Sequence, residues 1–142
     1  MKQKHILIAA LVTITFAAFA QQAKVSKPKT VPLPTNLFNN LHDSCTSLDI
    51  VFLTGKGGSM SLDGRNVKFF TSFMTPGPVD KKKAATAQDA TIMWEKEGRE
   101  YLSGTIYFTG DSSGYITFTK NNKEYANGLT PQGAGFLQTH GK

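Results

Sequence analysis

Cysteine and histidine are scarce in this sequence, and their scarcity limits the chemistry open to the chain. One cysteine, Cys45, and three histidines occur in 142 residues. A single thiol cannot form an internal disulfide, so the stability of the fold has to come from apolar packing. A structural zinc site needs several closely spaced cysteine or histidine ligands, and no such spacing is present. We therefore expect neither a metal ion nor another cofactor.

Positive charge is scarce in the part of the chain that we expect to fold. The formal net charge is +6, but eight lysines lie in the N-terminal region and in one loop. They are Lys2, Lys4, Lys24, Lys27, Lys29, Lys81, Lys82 and Lys83. These eight lysines carry a charge of +8. Since the whole chain has a net charge of +6, the rest of the chain has a net charge of −2. Nucleic-acid-binding domains carry a basic stripe on structured elements, so we predict no nucleic-acid binding.

The first 20 residues have the layout of a secretory signal peptide. Lys2 and Lys4 precede an apolar run from Ile6 to Ala20, which ends in small residues. We predict cleavage before Gln21 and a periplasmic or secreted protein. The alternative is an uncleaved membrane anchor, but the run is shorter than the roughly 20 residues that span a bilayer. We therefore expect no stable membrane anchor after cleavage.

The remaining chain is predicted to be a short linker and one domain. Removing 20 of the 142 residues leaves 122, a common size for one domain. Residues 21–34 are rich in proline and lysine, which predicts a flexible linker. Residues 35–142 are then a single α+β domain. Its helices are predicted from Thr35 to Asp43, over residues 65–74, and after the Thr130–Pro131 pair, where threonine caps and proline begins a helix.

A four-stranded meander is predicted between residues 91 and 129. Three turn segments separate its strands, at residues 97–99, 111–114 and 121–122, and their Gly, Asn and Asp residues suit hairpin turns. Apolar and polar side chains alternate between the turns, as in a sheet with one face on a core and one towards solvent. Gly104 interrupts the second of these strands on its apolar side, so we predict a bulge or the close approach of a helix there.

A hairpin over residues 47–62 completes the predicted sheet. Its first strand is apolar on both faces near its end, which favours a central position in a sheet. The glycine-rich segment 54–59 lacks the spacing of a phosphate-binding loop, so we interpret it as the turn of this hairpin. The predicted fold is a single antiparallel sheet of about six strands flanked by two or three short helices. In the order of its elements, and in that respect alone, it is similar to profilin-like domains.

The outward face of the meander is the best candidate for a binding surface. We expect five of its residues to contribute: Tyr101, Thr105, Tyr107, Tyr115 and Thr117. Tyrosine combines apolar area with a hydroxyl group and is enriched where proteins bind partners. Two alternatives remain open: these residues reflect strand preference alone, or another element covers them. Our hypothesis is a non-enzymatic binding domain that recognises a partner protein or a glycan with this face or with the loop from Thr75 to Ala90. The oligomeric state stays open.

The alternative function is a small exported hydrolase or cysteine-dependent enzyme that uses Cys45 and His42. These residues lie three positions apart, within reach of each other if a helix continues through them. We expect instead that Cys45 is a small buried apolar residue and that His42 is a cation at a helix C-terminus. We also expect Asp43 to point away from His42, which leaves the histidine without an orienting group. No catalytic residue is therefore predicted.

Overall fold

The computed structural model describes residues 30–79, 87–108 and 114–141. The predicted signal peptide, residues 21–29 of the predicted linker, the centre of the loop from Thr75 to Ala90 and most of the predicted turn at residues 111–114 lie outside these ranges.

Helices and strands follow one another in the predicted order. The helices are α1 (Thr35–Asp43), α2 (Arg65–Thr71) and α3 (Pro131–His140). The strands are β1 (Ser47–Phe52), β2 (Gly58–Asp63), β3 (Ala90–Lys96), β4 (Arg99–Tyr107), β5 (Tyr115–Lys120) and β6 (Lys123–Gly128). The strands form one antiparallel sheet in the order β2-β1-β3-β4-β5-β6. The predicted α+β fold with a single six-stranded sheet is confirmed, whereas the likeness to profilin-like domains stays a prediction.

Two tight turns set the register of the meander. Asn121 and Asn122 have φ values of +53° and +58°, and Glu97 and Gly98 have φ values of +55° and +72°. Paired positive φ values give the two-residue turns whose twist matches that of the flanking strands. Asparagine and glycine adopt this conformation at low cost, which explains why the sequence marks both turns.

All three helices pack against one face of the sheet. Leu41 of α1, Phe70 of α2 and Leu137 of α3 belong to a single buried cluster that includes Trp94 of β3. The Trp94 side chain is fully buried, and its indole Nε1 donates to Thr71 Oγ1 at 3.3 Å. The apolar face of the meander is therefore buried beneath the helices, as the alternation predicted.

Gly104 is needed because its paired strand β5 lies close to it. A Cβ atom at this position would lie 2.5 Å from the Thr117 carbonyl oxygen and 3.0 Å from Phe118 Cδ1. The bulge between β3 and β4 lies elsewhere, at the register shift between Trp94 and Glu95. The prediction of a bulge or a close helix at Gly104 is therefore wrong: the contact that requires a glycine is made by its paired strand, β5.

One edge of the sheet is covered by the end of the segment that we predicted to be a flexible linker. Val31 forms a parallel bridge with Tyr125, and its carbonyl oxygen accepts a hydrogen bond from Ala126 N at 2.9 Å. Leu33 is buried, and its backbone N–H donates to the Asn127 side chain at 2.9 Å. Residues 30–34 thus pack on β6, because Leu33 adds an apolar side chain to the core.

Candidate functional site on the open sheet face

The sheet face opposite the three helices, which we call the open face, carries rows of small polar side chains. The strand register places Val51, Thr91, Thr105 and Thr117 side by side on β1, β3, β4 and β5. Directly opposed residues on neighbouring antiparallel strands have Cβ atoms about 5 Å apart. The three threonines therefore form a continuous cross-strand row of hydroxyl and methyl groups.

A groove of about 490 Å³ runs over this row. Its walls come from β1, β3, β4 and β5, and its lining residues are Asp49, Val51, Thr91, Ile92, Met93, Ser103, Gly104, Thr105, Thr117 and Thr119. Five of these residues carry a hydroxyl group. None of the five hydroxyls has a hydrogen-bond partner within the described ranges 30–79, 87–108 and 114–141. The volume lies in the range of small-ligand sites in proteins, about 300–1,000 Å³.

The groove has little charge. Asp49 is the single ionisable residue in its lining, and one Asp49 carboxylate oxygen accepts a hydrogen bond from Ser61 Oγ at 2.5 Å. The lining contains no lysine and no arginine. Anionic ligands are held by such cations, usually through charge-assisted hydrogen bonds. The groove is therefore suited to a neutral ligand.

Two of the predicted tyrosines lie beside the threonine row, two residues along β4 and β5 from Thr105 and Thr117. Tyr107 and Tyr115 face each other across β4 and β5, with their rings parallel within 3° and their centroids 4.5 Å apart. Tyr115 is buried and Tyr107 is half-buried. Burial raises the pKa of the Tyr115 hydroxyl, and the neighbouring Tyr107 and Glu124 raise it further. The stacked pair lies outside the groove, whose lining includes neither tyrosine.

Tyr101 is not part of this surface. Its hydroxyl accepts a hydrogen bond from Asn40 Nδ2 of α1 at 3.0 Å, and Lys120 Nζ lies 4.7 Å from the centre of its ring. Leu102 pairs with Trp94 and Glu100 pairs with Glu95, so Tyr101 is the extra residue of a β-bulge. A bulge breaks the alternation of side chains, which turns Tyr101 towards the helices.

Sequence reasoning also missed residues that the structure brings to the open face. They are Asp49, Thr91 and Met93. The groove lining also contains Ser103, Thr105, Thr117 and Thr119, all of which alternation assigns to the outward face of the meander. Except at the bulge that contains Tyr101, alternation gave the face of the sheet on which each residue lies. The pairing of β1 with β3, which are separated by β2 and α2, is what gathers these residues into one site.

Two large apolar side chains, one on β1 and one directly after it, are exposed at the open face. Val51 and Leu53 are 46% and 53% exposed. We predicted a central strand from the apolar residues on both faces of β1. The strand does lie between β2 and β3, but its second apolar face is exposed. Large apolar side chains exposed next to a groove add to its capacity to bind a partner.

The thiol and the histidine of the alternative hypothesis occupy different environments. Cys45 is 5% exposed and belongs to the core, and burial raises the pKa of its thiol, with a smaller opposing effect of Lys96. His42 is exposed at the end of α1, where its Nδ1 lies 2.6 Å from Asp43 Oδ1. The expectation that Asp43 points away from His42 is therefore wrong. The orienting contact exists, but the thiol is a poor nucleophile in its buried position.

The site and the fold together define a class of protein: a single-sheet α+β domain with helices on one face and an open, hydroxyl-lined groove on the other. Comparisons with family models, with curated proteins and with solved structures gave no match for this chain. In the part of the chain that the structure describes, no group of three or more metal-binding side chains comes together. No helix there is long and apolar enough to cross a membrane.

Proposed function

We propose that this protein is an exported, non-enzymatic binding domain that holds a partner protein or a glycan on its open face. The observation that carries the proposal is the groove, in which three neighbouring strands, β3, β4 and β5, present five hydroxyl side chains that have no hydrogen-bond partner among the described residues. A polar group that is not used in the fold is available to a ligand, and the rigid ladder of the sheet holds it in place.

Binding is favoured over catalysis by the chemistry of the lining. General acid–base catalysis needs a positioned pair of titratable groups, and nucleophilic catalysis needs an activated nucleophile. The groove has one carboxylate, that of Asp49, which is already hydrogen-bonded to Ser61. Cys45 lies in the core with a raised thiol pKa, so the alternative enzyme based on Cys45 and His42 gains no support from the geometry.

The export half of the proposal is tested by mass spectrometry of the protein recovered from cells that produce it. We expect the mature chain to begin at Gln21 and to appear in the periplasmic or extracellular fraction, because residues 1–20 have the layout of a signal peptide. A chain that still begins at Met1 in the cytoplasmic fraction would contradict export.

The binding half is tested with the immobilised protein and fractions of the cell envelope, separated into proteins and polysaccharides. Thr105→Lys places a long charged side chain in the groove, and Thr46→Lys places the same side chain at an exposed position outside it. We expect a sensor response from at least one fraction that Thr105→Lys abolishes and Thr46→Lys preserves. A response that both variants preserve, or no response from any fraction, would refute binding at the open face.

A further inference from the structure

We infer that the ligand of the open face is a neutral oligosaccharide chain. This inference rests on the proposed function and deepens it, because it selects one chemical class of partner. It follows from the hydrogen-bonding capacity, the charge, the length and the apolar content of the groove.

The hydrogen-bonding capacity of the groove matches that of sugar hydroxyls. A serine or threonine hydroxyl donates one hydrogen bond and accepts up to two, and its hydrogen rotates to suit the partner. Thr91, Thr105 and Thr117 lie in one cross-strand row, and Ser103 and Thr119 lie on the same face two residues along β4 and β5. Sugar hydroxyls need partners that both donate and accept, and each of these side chains does so.

The charge of the groove excludes the common acidic ligands. Phosphates, nucleic acids and uronic-acid chains are held by arginine or lysine, and the groove lining contains neither residue. Asp49 adds a negative charge that would repel them. A neutral chain meets no such barrier, and a carboxylate is a good acceptor for its hydroxyls.

The groove extends over four neighbouring strands, from β1 to β5 in the sheet. Strands in a sheet lie about 4.8 Å apart, so the distance from β1 to β5 is roughly 14 Å. Such a groove is longer than a single sugar ring and accommodates several linked units. Multiple weak contacts along a chain are then summed in one binding event.

The apolar content of the groove differs from that of the centre of a protein–protein interface. Val51 and Met93 and the threonine methyl groups provide apolar area beside the hydroxyls, which suits the C–H faces of sugar rings. The centre of a protein–protein interface is instead enriched in aromatic residues, methionine and arginine and is depleted in serine. The groove has one methionine, no arginine and no aromatic residue in its lining.

The test is calorimetric titration of the full-length mature protein with a panel of oligosaccharides. Neutral chains of glucose, mannose, galactose and N-acetylglucosamine are compared with polygalacturonate. The variant Thr91→Val/Thr105→Val/Thr117→Val removes three hydroxyls and keeps the shape and strand preference of each side chain. Thr46→Val is the matched control, since Thr46 is exposed just before β1 and outside the groove.

We expect at least one neutral oligosaccharide to bind and the triple variant to weaken that binding tenfold or more, since it removes three hydrogen-bonding groups from the groove. Thr46→Val should bind like the natural protein, and circular dichroism should show the same fold for both variants. Equal binding by the triple variant, or binding of polygalacturonate alone, would overturn the inference.

The outcomes separate this inference from the proposed function. If a protein fraction binds in a manner that Thr105→Lys abolishes, while no neutral oligosaccharide binds, the proposed function stands and the glycan inference is overturned. If neither oligosaccharides nor envelope fractions respond to changes in the groove, both are overturned.

Discussion

The same strands contribute side chains to both faces of the sheet, one buried beneath the helices and one open to solvent. On the covered face, Ile92 and Trp94 are 1% and 0% exposed, and the neighbouring side chains pack against three helices. On the open face of the same strand, Thr91 is exposed and Met93 is half-buried. Alternation along one strand thus separates stability from recognition. Substitutions on the covered face should change unfolding, and substitutions on the open face should change binding.

The largest expected effect is the loss of stability on truncating the central indole. Trp94→Ala should lower the free energy of unfolding by about 3–5 kcal/mol, because it leaves a cavity and removes the donor to Thr71. Urea denaturation measures this change. Thr91→Ala on the open face of the same strand is the control and should cost less than about 1 kcal/mol. Equal losses for the two variants would break the distinction between the faces.

The second expected effect is a loss of stability at Gly104, where β4 lies close to its paired strand β5. Gly104→Ala should destabilise the fold by about 1–3 kcal/mol, because the new methyl group would meet the Thr117 carbonyl oxygen. Gly135→Ala in α3 is the control, since nothing lies within 4 Å of its added Cβ. That control should be neutral or stabilising by up to about 1 kcal/mol. A stabilising Gly104→Ala would show that β5 does not approach as described.

The third effect concerns the one thiol, which lies on the covered side. We expect Cys45 to react slowly with a thiol reagent at neutral pH in the native protein and rapidly in urea, because burial raises its pKa. A raised pKa favours the neutral thiol in the folded state. Its contribution to stability is therefore complete below the pKa of the unfolded chain and is lost as the pH rises through the folded pKa.

Cys45→Ala is the control for this pH dependence and should remove it from urea denaturation measured at alkaline pH. Rapid modification of native Cys45 at neutral pH would contradict its assignment to the core and would restore the enzyme hypothesis.

The smallest expected effect on stability belongs to the open face. Thr105→Val should change the free energy of unfolding by less than about 0.5 kcal/mol, because the Thr105 hydroxyl has no partner among the described residues. Thermal unfolding followed by circular dichroism measures this change. A loss above about 1 kcal/mol would show that the hydroxyl serves the fold and is not free for a ligand.

Local signals in the sequence predicted most of the fold. Turn residues predicted the hairpins at Glu97–Gly98 and Asn121–Asn122, where the structure has positive φ values. Alternation predicted the face of the sheet for the strand residues of the meander, apart from Tyr101. Thr130 accepts a hydrogen bond from Gly133 N at 3.2 Å, as expected for a helix cap before proline. Such signals depend on a few neighbouring residues, so they can be read without knowing the tertiary structure.

The candidate site was predicted only in part because it depends on long-range pairing and on one irregularity. Thr105 and Thr117 lie in the groove as alternation implied, but Asp49 and Thr91 join them through the pairing of β1 with β3. Tyr101 leaves the surface because of the bulge opposite Trp94 and Glu95. Neither the partner of a strand nor the place of a bulge is fixed by residue types alone.

The most direct test of the two-face account is to follow the backbone amide NMR signals of the ¹⁵N-labelled mature protein while a neutral oligosaccharide that binds it is added. We predict that the signals that move belong to β1, β3, β4 and β5 around the groove, and that those of α1, α2 and α3 stay in place. Shifts confined to the helices would contradict the account, because they would place recognition on the face that we assign to stability.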